Sequence, residues 1–173
     1  ERWSPTACPS ILGQEYFIAV DGYEGASGQI VLRWALAESP PNDDLASSAE
    51  ISEDRGSVIA SNADATHEPG ERLHAGTGGA SLWWRWAPEV AGAARVDTLG
   101  SSFDTVVAVY EDDATPSHAT LNLVADDDDA NGLQSQVVFR AAAGATYYVA
   151  VDGYAGATGD VALNWELFAP VEC

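Results

Sequence analysis

Four consecutive carboxylates, Asp126, Asp127, Asp128 and Asp129, are the residues of this chain best suited to chemistry. Held together they repel one another unless water, salt or a cation screens them. The β-prone runs 104–111 and 119–125, paired as a hairpin, bring Asp104 beside Asp126. A second pairing, 135–140 with 146–151, sets Asp152 near Ser135 at the same end. Oxygen ligands converging from three loops suit Ca²⁺, a hard ion that takes roughly six to eight oxygens. No EF-hand is present, because the DxDxDG spacing and its closing Glu are absent. The same residues also read as a solvated acidic loop in which Asp104 and Asp152 close Asx-type turns.

Other constellations point less clearly to chemistry. His67, His74 and His118 are scattered, and Pro69-Gly70 breaks the helix that a HExxH-like metal set from His67 to His74 needs. Ser81 stands in Gly-Gly-Ala-Ser-Leu rather than in a Gly-x-Ser-x-Gly elbow. No catalytic residue is therefore assigned, and the chain reads as a non-enzyme. In Trp83-Trp84-Arg85-Trp86 a strand points Trp84 and Trp86 one way and Trp83 and Arg85 the other. One reading packs these rings into a sandwich core. The other makes Trp83, with Arg85 beside it, an exposed stacking platform for a sugar or a peptide.

The elements that position these residues are announced by an internal repeat. Tyr16 to Trp34 returns as Tyr147 to Trp165, with eleven of nineteen residues identical at a constant offset of 131. Each copy reads as strand, Gly-rich turn, strand. About a hundred residues of strand-like sequence precede the second copy, and only a short segment precedes the first. The chain thus divides into an irregular segment 1–13, an orphan β-hairpin 14–37 and an acidic, Pro-containing linker 38–44. A jelly-roll sandwich over 45–170 follows, closed by the second hairpin at 145–168. Its strands are expected at 57–61, 81–87, 93–98, 104–111, 119–125, 135–140, 146–151 and 159–167, with a further one within 45–53. Short β-prone runs parted by turn residues, with no long 3.6-residue period, predict an all-β antiparallel sandwich or jelly roll with the extra N-terminal hairpin. In the first hairpin Ile30, Leu32 and Trp34 make one apolar row, and Val31 makes the opposite face apolar too. A hairpin apolar on both sides needs covering on both sides, and alone it is marginal in water.

Composition narrows the functional classes. A net charge of −20, with Arg as the only basic side chain, leaves no stripe to neutralise phosphates and argues against nucleic-acid binding. It favours a high-salt or divalent-rich setting. No apolar run approaches the length of a membrane span. A first residue other than Met fits a chain that begins at a processing site, as after signal cleavage. The two cysteines, Cys8 and Cys173, belong to no metal-binding spacing and read as a disulfide in an oxidising compartment, within one chain or between two.

Several phrases together resemble the bacterial pre-peptidase C-terminal domain family and its jelly-roll relatives. They are Asn42-Asp-Asp44, Ser81 to Pro88, Gly100 to Tyr110, Leu123 to Asp129 and Ala143 to Tyr154. The resemblance implies a β-sandwich appended to exported proteins, non-catalytic, in some members calcium-binding through an acidic linker. Here Pro40 and Pro41 interrupt that linker, so its site does not carry over whole. Two functions follow as expectations. One is a secreted structural module that self-associates by lending its N-terminal hairpin to a neighbour. The other is an accessory domain that binds extracellular polysaccharide or matrix protein.

Overall fold

The computed structural model describes residues 15–34, 38–112 and 115–168. The chain forms two units, residues 1–37 and 38–173. The second unit carries nine strands: β1 (Ala49–Ile51), β2 (Arg55–Ser61), β3 (Leu82–Trp86), β4 (Gly92–Asp97), β5 (Thr105–Glu111), β6 (Asn122–Asp127), β7 (Gln136–Ala141), β8 (Tyr147–Gly153) and β9 (Asp160–Phe168). They make a five-stranded sheet in the order β1-β3-β8-β5-β6 and a four-stranded sheet in the order β2-β9-β4-β7. All neighbours are antiparallel except β1 and β3. The all-β sandwich is thus as the sequence predicts, and each expected strand lies within a few residues of its place. Over 45–53 the chain makes a 3₁₀ turn, Leu45–Ser47, before the short strand β1.

Inward-facing residues of both sheets form the core: Trp84 and Trp86 from β3, Val107 and Val109 from β5, Val149 and Val151 from β8, Val161 and Leu163 from β9. A second buried cluster lies on the outer face of the five-stranded sheet, where Trp83, Ala108, Tyr110, Tyr148 and Ala150 pack with Leu45 and Leu121. β8 is therefore buried at every position, and β5 at all but its last. This explains why Thr105-Val-Val-Ala-Val-Tyr110 and Tyr147-Tyr-Val-Ala-Val151 do not alternate: a strand covered on both faces has no solvent side to keep polar. Trp83 belongs to this outer cluster and is fully buried, while Arg85 reaches out to Glu50. The stacking platform of Trp83 with Arg85 is thereby corrected, since one of its members is not at the surface.

Two pairings differ from expectation. β7 pairs with β4 and not with β8, which lies in the other sheet between β3 and β5. More consequentially, β8 and β9 do not pair with each other. β8 runs in the five-stranded sheet and β9 in the four-stranded one. The repeated motif is thus an arch that crosses from sheet to sheet, not a hairpin. Each arm has strand neighbours on both sides, so backbone groups that a hairpin would satisfy internally are satisfied by four other strands.

In the first unit, residues 15–34 contain no strand; their one regular element is a 3₁₀ turn, Tyr23–Gly25. The second copy behaves alike in that its two arms share no ladder with each other. The expected assembly residues Ile30, Val31, Leu32 and Trp34 are all exposed. Cys8 and Cys173 lie outside the described residues.

The outer cluster yields the first prediction. Trp83→Ala should cost about 3–5 kcal/mol, as much as Trp84→Ala in the inner core, because both rings are fully buried. Urea unfolding measures this. A loss below about 1 kcal/mol for Trp83→Ala would show that the outer face is ordinary surface.

Candidate functional site

The acidic loop is assembled by the β5–β6 ladder. Its register sets Val107 opposite Asp127 and Ala108 opposite Asp126. Asp104, one residue before β5, therefore lies beyond Asp127 and meets the residues that follow β6. Carboxylate oxygens of Asp104, Asp128 and Asp129 lie within 4.8 Å of one another. The Oδ1 atoms of Asp104 and Asp128 are buried and have no hydrogen-bond partner among the described residues. Desolvation, reinforced by the charges of Asp129, Asp104 and Asp127, raises the Asp128 carboxyl above its ordinary 3.8. Orphaned oxygens facing further carboxylates suit a hard cation, so the residues present fit calcium.

The remaining three expected ligands are placed elsewhere. Asp126 is exposed on β6. Asp127 closes the β6–β7 connection, its Oδ2 accepting from the amides of Ala130 and Gln136 at 3.0 and 2.9 Å. Asp152 is buried and turned away from the loop. It accepts from Gly79 and Ala80 N–H at 2.7 and 2.9 Å and from Gly153 N–H at 2.7 Å. The Asp104-to-Asp126 juxtaposition assumed a register shifted from the real one. The β7–β8 pairing that would bring Asp152 near does not occur.

Asp152 instead anchors the arch. Gly78 has φ +122°, and a Cβ on it would sit 1.9 Å from the Asp152 carboxylate, so only glycine lets this segment approach. Asn62, fully buried, holds the far side. Its amide donates to Ala80 O and Ala157 O at 3.0 and 3.1 Å, and its Oδ1 accepts from Gly159 N–H at 2.8 Å. Tyr154 N–H donates to Asp104 O at 2.9 Å, tying the turn of the arch to the acidic loop. The repeated Asp-Gly pair was the signal in the sequence for this anchor. The Gly78-Gly79-Ala80 cradle gave none until its partner was known.

The sequence also leaves the histidines scattered, whereas the fold joins them through two glutamates. Glu71 Oε1 accepts from His74 Nε2 at 3.1 Å and from the Ser81 hydroxyl. Its Oε2 accepts from Glu68 N–H at 2.7 Å and faces His67 Nδ1 at 3.3 Å. His74 Nδ1 meets the Tyr110 hydroxyl at 2.8 Å, and Glu68 Oε2 meets His118 Nε2 at 3.0 Å. Ser81 and His74 are buried, and the hydroxyl donates to a carboxylate rather than to a histidine. This is a strut that fastens the covering segment around residue 71 to the sheet, not a nucleophile with its base. Burial pushes the Tyr110 phenol up to about 12, with the Asp126 charge adding to it.

No protein-family model matches the chain, and no curated protein matches it. Among solved structures, it is similar to the pre-peptidase C-terminal domain of a collagenase from Bacillus anthracis, at 15% identity and a TM-score of 0.45, covering 69% of this chain and 94% of that one. It is also similar to PliG, a periplasmic inhibitor of g-type lysozyme from Aeromonas hydrophila, at 13% identity and a TM-score of 0.43, covering 69% of this chain and 96% of that one. The first is a domain of the family that the sequence phrases resemble.

Glu71 yields a pH prediction. Burial alone would raise its carboxyl, but the hydrogen bonds from His74, Ser81 and the Glu68 amide outweigh burial and hold it below 4.5. A depressed native value contributes stability that is complete above 4.5, the unfolded value, and is lost as pH falls through the native one. Glu71→Gln should therefore cost roughly 2 kcal/mol at neutral pH and flatten the acid limb of a stability–pH profile. An acid limb as steep in the variant as in the parent would contradict this.

Proposed function

We propose that the protein is a secreted, non-catalytic structural module that assembles by lending residues 15–34 to a neighbouring sandwich, with calcium bracing its acidic loop. One observation carries the reading: the first copy keeps the turn of the second, although the described residues 15–34 form no strand. Glu24 has φ 53° and ψ 34°, and Ala155 has φ 51° and ψ 31°. Ala26 N–H donates to Tyr23 O at 3.1 Å, as Ala157 N–H does to Tyr154 O at 3.0 Å. Asp21 Oδ1 accepts from Gly22 N–H at 2.7 Å, the distance found between Asp152 and Gly153. A non-glycine residue in the left-handed region is uncommon and costs energy. Its retention in both copies supports a segment shaped for insertion. Phe17, Val31 and Trp34 are 88%, 72% and 75% exposed, an apolar surface that water disfavours and a neighbour would cover.

Calcium at Asp104, Asp128 and Asp129 should raise the melting midpoint by several degrees, following RT ln(1 + [L]/Kd). Chelator should reverse the gain, and Asp128→Asn should remove most of it. The same substitution should stabilise the calcium-free protein, because the raised native value of Asp128 means that ionisation costs the fold stability as pH rises past 3.8. Equal stabilisation by sodium chloride at matched ionic strength would reduce the effect to screening.

A chain starting at Glu38 should keep the circular dichroism and melting midpoint of the full chain while losing its capacity to associate, read by light scattering. Unfolding of the shortened chain would mean that residues 15–34 serve their own core, and the assembly reading would be lost.

A further inference from the structure

Resting on that reading, the geometry points to one kind of neighbour: residues 15–34 are the closing arch of a second sandwich of this type whose own β8–β9 slot is open. They enter it as one central strand in each sheet.

The repeat itself says what covers the exposed arms. At the offset of 131, Phe17, Ile18 and Val20 stand where Tyr148, Val149 and Val151 lie buried between β3 and β5. Ile30, Leu32 and Trp34 stand where Val161, Leu163 and Trp165 lie between β2 and β9's other neighbour, β4. Neither arm of the second copy is an edge strand, so the first copy is not built for addition at an edge. The polar groups agree. Asp152 takes two further amides, from Gly79 and Ala80, and Gly159 N–H finds the Asn62 side chain. Asp21 and Gly28 hold the same places in the first copy, so an acceptor supplies an amide pair for the one and a side-chain carbonyl for the other. Gly22 is as obligatory as Gly153: a Cβ would lie 1.7 Å from Ala26 O in one and 1.8 Å from Ala157 O in the other.

A count makes the closed form of this chain the poorer acceptor, open to a neighbour's arch only by exchange. Each chain carries two arches and one slot, and its second arch fills that slot. Exchange between copies leaves one arch per chain uncovered however it is arranged. The first arch also fits this slot imperfectly. Val31 replaces Ala162, which is buried, so an isopropyl group must fit where the slot holds a methyl. The fitting partner is a sandwich of the same plan that lacks its last two strands.

The test opens the slot of the full chain with Val149→Asp and Leu163→Asp, which disable its own arch, and adds synthetic peptides of residues 15–34 or 146–168. With one working arch and one slot per chain, the variant alone should recover native near-ultraviolet circular dichroism, as multimers or as monomers whose first arch closes their own slot. Excess of either peptide should convert any multimers to folded monomers, 146–168 at the lower concentration. Asp21→Ala in the 15–34 peptide should weaken it by roughly tenfold or more, and Val31→Ala should strengthen it. Folding restored by 146–168 but not by 15–34 overturns the inference. So does a variant that neither peptide restores, since the slot would then not exist apart from its covalently attached arch. Either failure leaves untouched the result with the chain starting at Glu38, so the slot and the broader assembly reading fall separately.

Discussion

One strand sets the terms for the rest of this molecule. β8 is covered on both faces and paired along both edges, so the chain must surround it completely. The inner face takes the sandwich core, and the outer face takes Trp83, Tyr110 and the covering segments that bring in Leu45 and Leu121. Those segments are irregular, and their backbone needs anchors that a sheet would have supplied. The Glu71, His74 and Ser81 strut, the contact of Glu68 with Leu45 N–H and His118, and the clamp of Asn62 are those anchors. Polar residues that resemble catalytic groups in the linear sequence are thus a consequence of burying one apolar strand twice.

Much of the fold was legible because strand existence depends on local pattern. Turn residues bounded the apolar runs, and alternation in Val161, Leu163 and Trp165 marked an inward face. What was not legible was which strand lies beside which. A hairpin and an arch share the same strand, Gly-rich turn, strand sequence, and the difference lies in which other strands compete for the two ladders. With β8 held between β3 and β5, β9 has no edge of it left to pair with, and it joins the other sheet. Trp83 was hidden for a similar reason: its face of the strand is outer by topology and inner by burial, because irregular segments cover it.

The candidate cation site shows the same division. Proximity of Asp104 to the acidic run follows from adjacent strands, which the sequence announces. Which of the four carboxylates face it depends on a register, with its shift between Val109 and Tyr110, that no local pattern encodes. Asp127 is taken up by a turn and Asp152 by three amides. Asp104, Asp128 and Asp129 remain, two of them with an oxygen that no other described residue satisfies. In a chain of net charge −20, such a cluster concentrates repulsion that a cation would relieve.

Two near-identical arches in one polypeptide also have a history on the ribosome. The first is made 131 residues before the second, a lead of roughly 7 to 26 s at about 5–20 residues per second. When β1 to β7 have emerged and β8 has not, the nascent sandwich has an empty place and a tethered near copy of the missing piece. Tethering gives that copy a high local concentration, so discrimination falls to side-chain fit. Val31 in place of the buried Ala162 supplies a misfit of one isopropyl group for a methyl. A substitution that erases it would cost the finished protein nothing visible, yet would slow its folding by letting the wrong arch settle first.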